Sequence, residues 1–88
     1  MKINPGYTLK TISGQATVTA ESPAAPLRNT IVLNETSAFL WEQIASGITS
    51  KEQLLHSLLA RFDISTVLAL NDINVFLKTM RENGIIEL

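Results

Sequence analysis

Apolar and polar residues alternate with a period of two from Tyr7 to Ile12, and again from Gln15 to Ala20. Successive side chains of a strand point to opposite faces, so each run predicts a strand with one buried face. Ser13-Gly14 separates the runs, and two alternating segments joined by a Gly-containing dipeptide predict a β-hairpin. Pro23 and Pro26 keep residues 21–29 out of any central strand, because proline has no N–H for the ladder. That segment is expected to be a loop. Thr30-Ile31-Val32-Leu33 is short, β-branched and apolar, and fits a third strand.

After Leu33 the period changes to that of a helix. Asn34 is a good N-cap, with Leu33 and Ala38 at the hydrophobic-staple positions around it. The first helix is expected to run to about Ser46, with Ala38, Trp41 and either Ile44 or Ala45 on one face, and to end at Gly47. Thr49-Ser50-Lys51-Glu52 reads as a capping box in which the Thr49 hydroxyl and the Glu52 carboxylate each satisfy a backbone N–H. A second helix follows, with Leu54, Leu55, Leu58, Leu59 and Phe62 as its stripe. Either Asp63 or Ser65 starts a third helix that ends at Gly84; alternatively, Asn71-Asp72 is a second cap that splits it. Ile85-Ile86-Glu87-Leu88 is an apolar tail that docks on the core. The predicted order is β-β-β-α-α-α, an α+β fold in one domain over residues 1–88.

Charge adds a constraint. Seven Lys and Arg stand against eight Asp and Glu, a net charge of −1. Residues 1–34 carry Lys2, Lys10 and Arg28 against Glu21, net +2, whereas residues 35–88 carry four bases against seven acids, net −3. With no basic excess, binding that depends on neutralising phosphates is disfavoured. Cysteine is absent, which removes disulfides, thiolate nucleophiles and zinc–sulfur sites. Met1-Lys2-Ile3-Asn4-Pro5 has no apolar core of a secretory signal. Apolar runs reach four residues at most, Ala38–Trp41 and Val67–Leu70, far short of a membrane span. The expectation is a soluble, cytoplasmic protein with no membrane partner.

No catalytic constellation is visible. His56, the one histidine, lies off the apolar stripe of its helix, and no orienting group can be named for it. No Ser sits in a Gly-x-Ser-x-Gly elbow. Gly6, Gly14, Gly47 and Gly84 are isolated, each with a use in a turn or helix end, so none is left to cradle a phosphate. The acids are scattered singly and suggest no metal cluster. No enzyme activity and no cofactor are expected. Trp41 on the buried face of the first helix reads as core.

Two features exceed what a core needs. At about 100° per residue, Ala69, Leu70, Ile73, Phe76, Leu77 and Met80 form the core face of the third helix. Leu68 and Val75 point almost the opposite way, with Asn71 between them and Val67, Asn74 and Lys78 to one side. Scattered exposed apolar residues are ordinary, but a second apolar stripe on a core helix also suits a groove for an external ligand. The third strand has no Lys, Pro or inward charge to blunt its edge. Such an edge is either covered by a neighbour or free to accept an incoming peptide.

Leu33-Asn34-Glu35-Thr36-Ser37-Ala38-Phe39-Leu40-Trp41, then Gly47-Ile48-Thr49 and Arg61-Phe62-Asp63, resemble the PqqD family, coenzyme PQQ synthesis protein D. So do Asp72 before Phe76-Leu77 and the closing Asn83-Gly84-Ile85-Ile86. The likeness spans essentially the whole chain, and its weight lies in the order and spacing of weak motifs. It implies a winged-helix-like domain, a three-stranded antiparallel sheet followed by three helices. It also implies a recognition element for ribosomally made, modified peptides, which holds the leader of a precursor peptide and presents it to a modifying enzyme, often of radical-SAM type. The leader lies as an added strand on the third strand, against the third helix. Carried onto this chain, the resemblance points to Thr30, Ile31, Val32 and Leu33, and to Val67, Leu68, Asn71, Val75 and Lys78, with the side of the helix left open. PQQ itself as the product does not follow. A winged-helix DNA-binding protein is the alternative, with the third helix as recognition helix, yet that helix carries only Lys78 and Arg81 against Asp72 and Glu82.

Overall fold

The structure is a computed structural model that describes residues 1–21 and 31–87. Thr30, the loop expected over residues 21–29 apart from Glu21, and Leu88 lie outside the described residues. The chain runs β1 (Lys2–Ile3), β2 (Tyr7–Ile12), β3 (Gln15–Ala20), β4 (Ile31–Leu33), α1 (Glu35–Ala45), α2 (Lys51–Arg61), α3 (Thr66–Glu82) and β5 (Ile86–Glu87). It is the expected α+β arrangement, a three-stranded antiparallel sheet followed by three helices. A second, two-stranded sheet is added at the chain ends.

The hairpin forms where the alternation places it, with Ile12 opposite Gln15 and Leu9 opposite Val18. Ser13 and Gly14 both take positive φ, 52° and 79°. Two such residues make a turn whose twist matches that of the strands it joins. The Glu21 carboxylate braces the far end, accepting from Lys10 at 2.9 Å and from Thr8 at 2.8 Å. β4 then pairs with β3, Leu33 against Ala16 and Ile31 against Val18. This leaves β3 in the centre and β2 and β4 as edges.

Helix ends follow local chemistry with one shift. Asn34 caps α1 by accepting from the Ser37 N–H at 2.8 Å. Ser65 starts α3, accepting from the Leu68 N–H at 3.2 Å, and α3 continues through Asn71-Asp72 without a break. At α2 the cap is Ser50, not Thr49: its hydroxyl accepts from the Gln53 N–H at 3.2 Å. Gln53 reaches back to the Thr49 N–H at 3.3 Å, so Glu52 has no part in the box. Ser50 and Gln53 have the same three-residue spacing as Thr49 and Glu52, and a pattern of hydroxyls alone cannot separate the two registers. α1 and α3 both end in the same way. Ile48 donates to Gln43 and Gly47 to Ile44, while Ile85 donates to Met80 and Gly84 to Arg81. Both are Schellman closures with glycine in the left-handed position.

One core unites the elements: Val18 and Leu33 from the sheet, Leu40, Trp41 and Ile44 from α1, Leu54 and Leu58 from α2, and Ala69, Ile73, Phe76, Leu77 and Met80 from α3. Ile44 rather than Ala45 is the buried partner of Trp41. Leu59 and Leu70, expected on the core faces, are 37% and 40% exposed. Each lies at the margin of its helix's apolar arc, where the surface turns towards water. The apolar tail docks as expected, with Ile85 and Ile86 buried, but as a strand. Ile86 pairs with Ile3, and Asn4 donates its backbone N–H to Ile85 and its side-chain amide to Gly84, both at 2.8 Å. Among the described residues, no helix is long and apolar enough to cross a membrane.

Three outcomes follow for stability. Trp41→Ala, which empties a buried aromatic site, costs about 3–5 kcal/mol, read as a fall in the chemical-denaturation midpoint by circular dichroism. Gly84→Ala meets open space, because a Cβ there has no atom within 4 Å, so its cost is that of the φ of +70° alone. That cost is about 1 kcal/mol, and a much larger loss would mean that Gly84 also serves packing. The Glu21 pKa is lowered by the hydrogen bonds from Lys10 and Thr8 and by the Lys10 charge. A lowered folded-state pKa contributes stability above the unfolded value and loses it as pH falls through the folded value. Glu21→Gln therefore flattens part of the acid limb of the stability–pH curve, and salt reduces the difference because the pair is exposed.

Candidate functional site

β4 is an edge strand of three described residues. Side chains alternate across it, so Ile31 and Leu33 turn inward to the core while Val32, 51% exposed, faces outward. Alternate residues of an edge strand direct their backbone N–H and C=O away from the sheet. No Lys, Pro or bulge blunts β4, whereas the other edge, β2, carries Lys10 and its ion pair with Glu21. At the C-terminal end of β4 a cleft of about 580 Å³ opens beside Val32 and Leu33, bounded by Ala16, Glu35 and Ala38.

α3 presents three surfaces. Its core stripe is buried, and Val67, Leu68 and Val75 are 77%, 57% and 56% exposed. Leu68 and Val75 lie seven residues apart, so they stand within about 20° of each other around the axis, on one flank of the core stripe. Val67, Asn74 and Lys78 turn towards the other flank, and Asn71 points directly away from the core. That other flank is the one facing α2: Lys51, at the start of α2, donates to the Asn74 side chain at 3.1 Å. Lys78 is exposed and sits 4.0 Å from Glu82, an i,i+4 pair that water screens. Leu68 and Val75 thus lie together on the flank away from α2, apart from Val67 and Lys78, which the family resemblance named with them while leaving the side of the helix open.

The remaining surfaces hold little chemistry. His56 is exposed on α2. Among the described residues no group of three or more His, Asp or Glu is placed to hold a metal ion. Every buried side-chain polar atom among them has a hydrogen-bond partner. A wider cleft, about 870 Å³, lies between β1–β2 and α1 against Trp41. The sequence gives no sign of it, because it depends on where β1 crosses α1. Among the described residues, the site consists of the unpaired edge of β4 and the apolar flank of α3, two elements built on one core. Such a site can add a strand and hold its side chains.

A search of curated protein sequences finds no match. Among solved structures, TbiB1 in complex with the TbiA(beta) leader peptide shares the fold, with a TM-score of 0.76 over 99% of this chain and 95% of that one, at 15% identity. The sequence itself matches the family model for coenzyme PQQ synthesis protein D over residues 15–86, from the second strand of the hairpin to the first residue of β5. With that match covering the sheet edge and all three helices, the chain belongs to the PqqD family.

Proposed function

We propose that this protein is a non-catalytic peptide-binding module. It holds the leader segment of a ribosomally made precursor peptide by strand addition and presents it to a modifying enzyme, which by family resemblance is of radical-SAM type. The whole chain, residues 1–88, acts as one module. The observation that carries the reading is the open β4 edge, with α3 packed into the same core as the inward side chains of β4. Membership of the PqqD family and the leader peptide bound to the structurally similar TbiB1 support it.

Strand addition divides the work. Backbone hydrogen bonds to Ile31, Val32 and Leu33, and to Thr30 beyond them, give affinity without regard to sequence. A strand added to β4 turns every second side chain towards the face of the sheet whose side chains share one core with α3. The apolar flank of α3 then selects. Leu68 and Val75 are the preferred contacts, because α2 occupies the opposite flank through Lys51 and Asn74. Asn71 borders this groove from its solvent side, whereas Val67 and Lys78 turn towards the α2 flank. The balanced charge of α3, Lys78 and Arg81 against Asp72 and Glu82, fits a peptide better than DNA.

Leu68→Asp and Val75→Asp should each weaken leader binding by about tenfold or more, a loss of at least about 1.4 kcal/mol. Thermal melts should change little, since both side chains are already exposed. Val32→Pro should also reduce binding, by removing a backbone donor and obstructing the incoming strand. Calorimetric titration of a leader peptide measures all three. Unchanged affinity in the folded Leu68 and Val75 variants moves the groove to the Val67, Asn71 and Lys78 side. Unchanged affinity after substitutions on both sides and along β4 removes strand docking altogether.

A further inference from the structure

Among the described residues, none makes use of the Asp72 carboxylate. Asp72 is the seventh residue of α3, past the first turn in which an acid interacts favourably with the helix dipole. It caps no helix, and no described residue hydrogen-bonds or ion-pairs with it. Its neighbours one turn away on either side are Leu68, Ala69, Val75 and Phe76, all apolar. Lys78 and Arg81 project about 120° and 180° away around the axis, out of its reach. Aspartate is also a poor residue for a helix interior. Asn74, another such residue, is compensated by Lys51, but no described residue compensates Asp72. A local rule broken without internal gain marks a functional position.

Its place gives the position meaning. Asp72 is partly buried and stands between Leu68 and Val75 on the same flank of α3. We propose that Asp72 sets the specificity of the groove by selecting a leader segment that carries a lysine or arginine flanked by bulky apolar residues. The inference rests on the leader-docking reading above and adds the chemistry of the accepted peptide. Alternate side chains of a strand repeat about every 6.7 Å. Leu68 and Asp72 are about 6 Å apart along the helix, and Asp72 and Val75 about 4.5 Å. A strand running beside α3 therefore meets an apolar side chain, the carboxylate and a second apolar side chain with alternate residues. Docking removes water from Asp72, so a peptide without a cation leaves a desolvated, unpaired charge and is rejected.

A displayed random-peptide library selected on the full-length protein tests this, with enriched peptides synthesised and titrated. The expected consensus has a basic residue with bulky apolar residues nearby, bound in a Leu68- and Val75-dependent manner. Asp72→Lys should weaken those peptides more than tenfold and, on reselection, enrich acidic ones. Asp72→Asn, nearly isosteric, should weaken them several-fold and flatten the dependence of affinity on salt, a readout that a purely structural role would not move. Enrichment of apolar peptides without a basic residue, sensitive to Leu68→Asp and indifferent to Asp72→Asn, overturns the inference and leaves the groove standing. Failure to enrich any peptide sensitive to Leu68, Val75 or Val32 overturns the inference together with the docking reading.

Discussion

Burial of Ala69, Ile73, Phe76, Leu77 and Met80 in the core shared with α1, α2 and the sheet fixes α3, and with it the surface that α3 presents. A helix locked by five side chains at 3% exposure or less cannot roll without opening cavities in a close-packed interior. Once the stripe is buried, helical geometry dictates the rest of the wheel. Leu68, Asp72 and Val75 must then lie on one flank and Asn74 on the other. The Lys51–Asn74 hydrogen bond adds a polar tie on the α2 flank. At the C-terminal end, the Schellman closure at Gly84 turns the chain directly into β5, and Asn4 holds that turn from the N-terminal side.

The sheet contributes a complementary asymmetry. Its edge at β2 is braced by charged and hydroxyl side chains around Glu21, where Lys10, Thr8 and Thr19 all converge. Its edge at β4 carries only Ile31, Val32 and Leu33, two of them anchored inward. A strand edge that is rigidly backed yet unblunted is a liability for a protein that must avoid self-association. It is also a prepared template for an added strand, since little backbone order has to be created on binding.

Much of this was legible from local pattern. The alternation around Ser13-Gly14 specifies the hairpin and its register, because turn chemistry and period two act within a few residues. Asn34, Ser65, Gly47 and Gly84 mark helix ends for the same reason: caps satisfy backbone groups three or four positions away. Where adjacent residues offered the same chemistry, as Thr49 and Ser50 did, local pattern was not sufficient. The Ser50–Gln53 register emerged only with α2 in place.

The sequence by itself determined the order of the main elements, the core stripe of α3 and the bare character of β4. Each of these is a property of neighbours along the chain. Tertiary structure alone decided the rest. The β1–β5 pair joins Lys2 and Ile3 to Glu87 and Ile86, and strands of two residues are too short to carry a periodic signal. Leu59 and Leu70 fall in their helices' apolar arcs, yet the neighbours that cover the arc centres leave these margins in water. Which flank of α3 faces α2 rests on a contact between residues 51 and 74, invisible to any pattern within one helix. The isolation of Asp72 among the described residues is likewise tertiary, because it depends on which side chains α1, α2 and the sheet bring near that flank of α3.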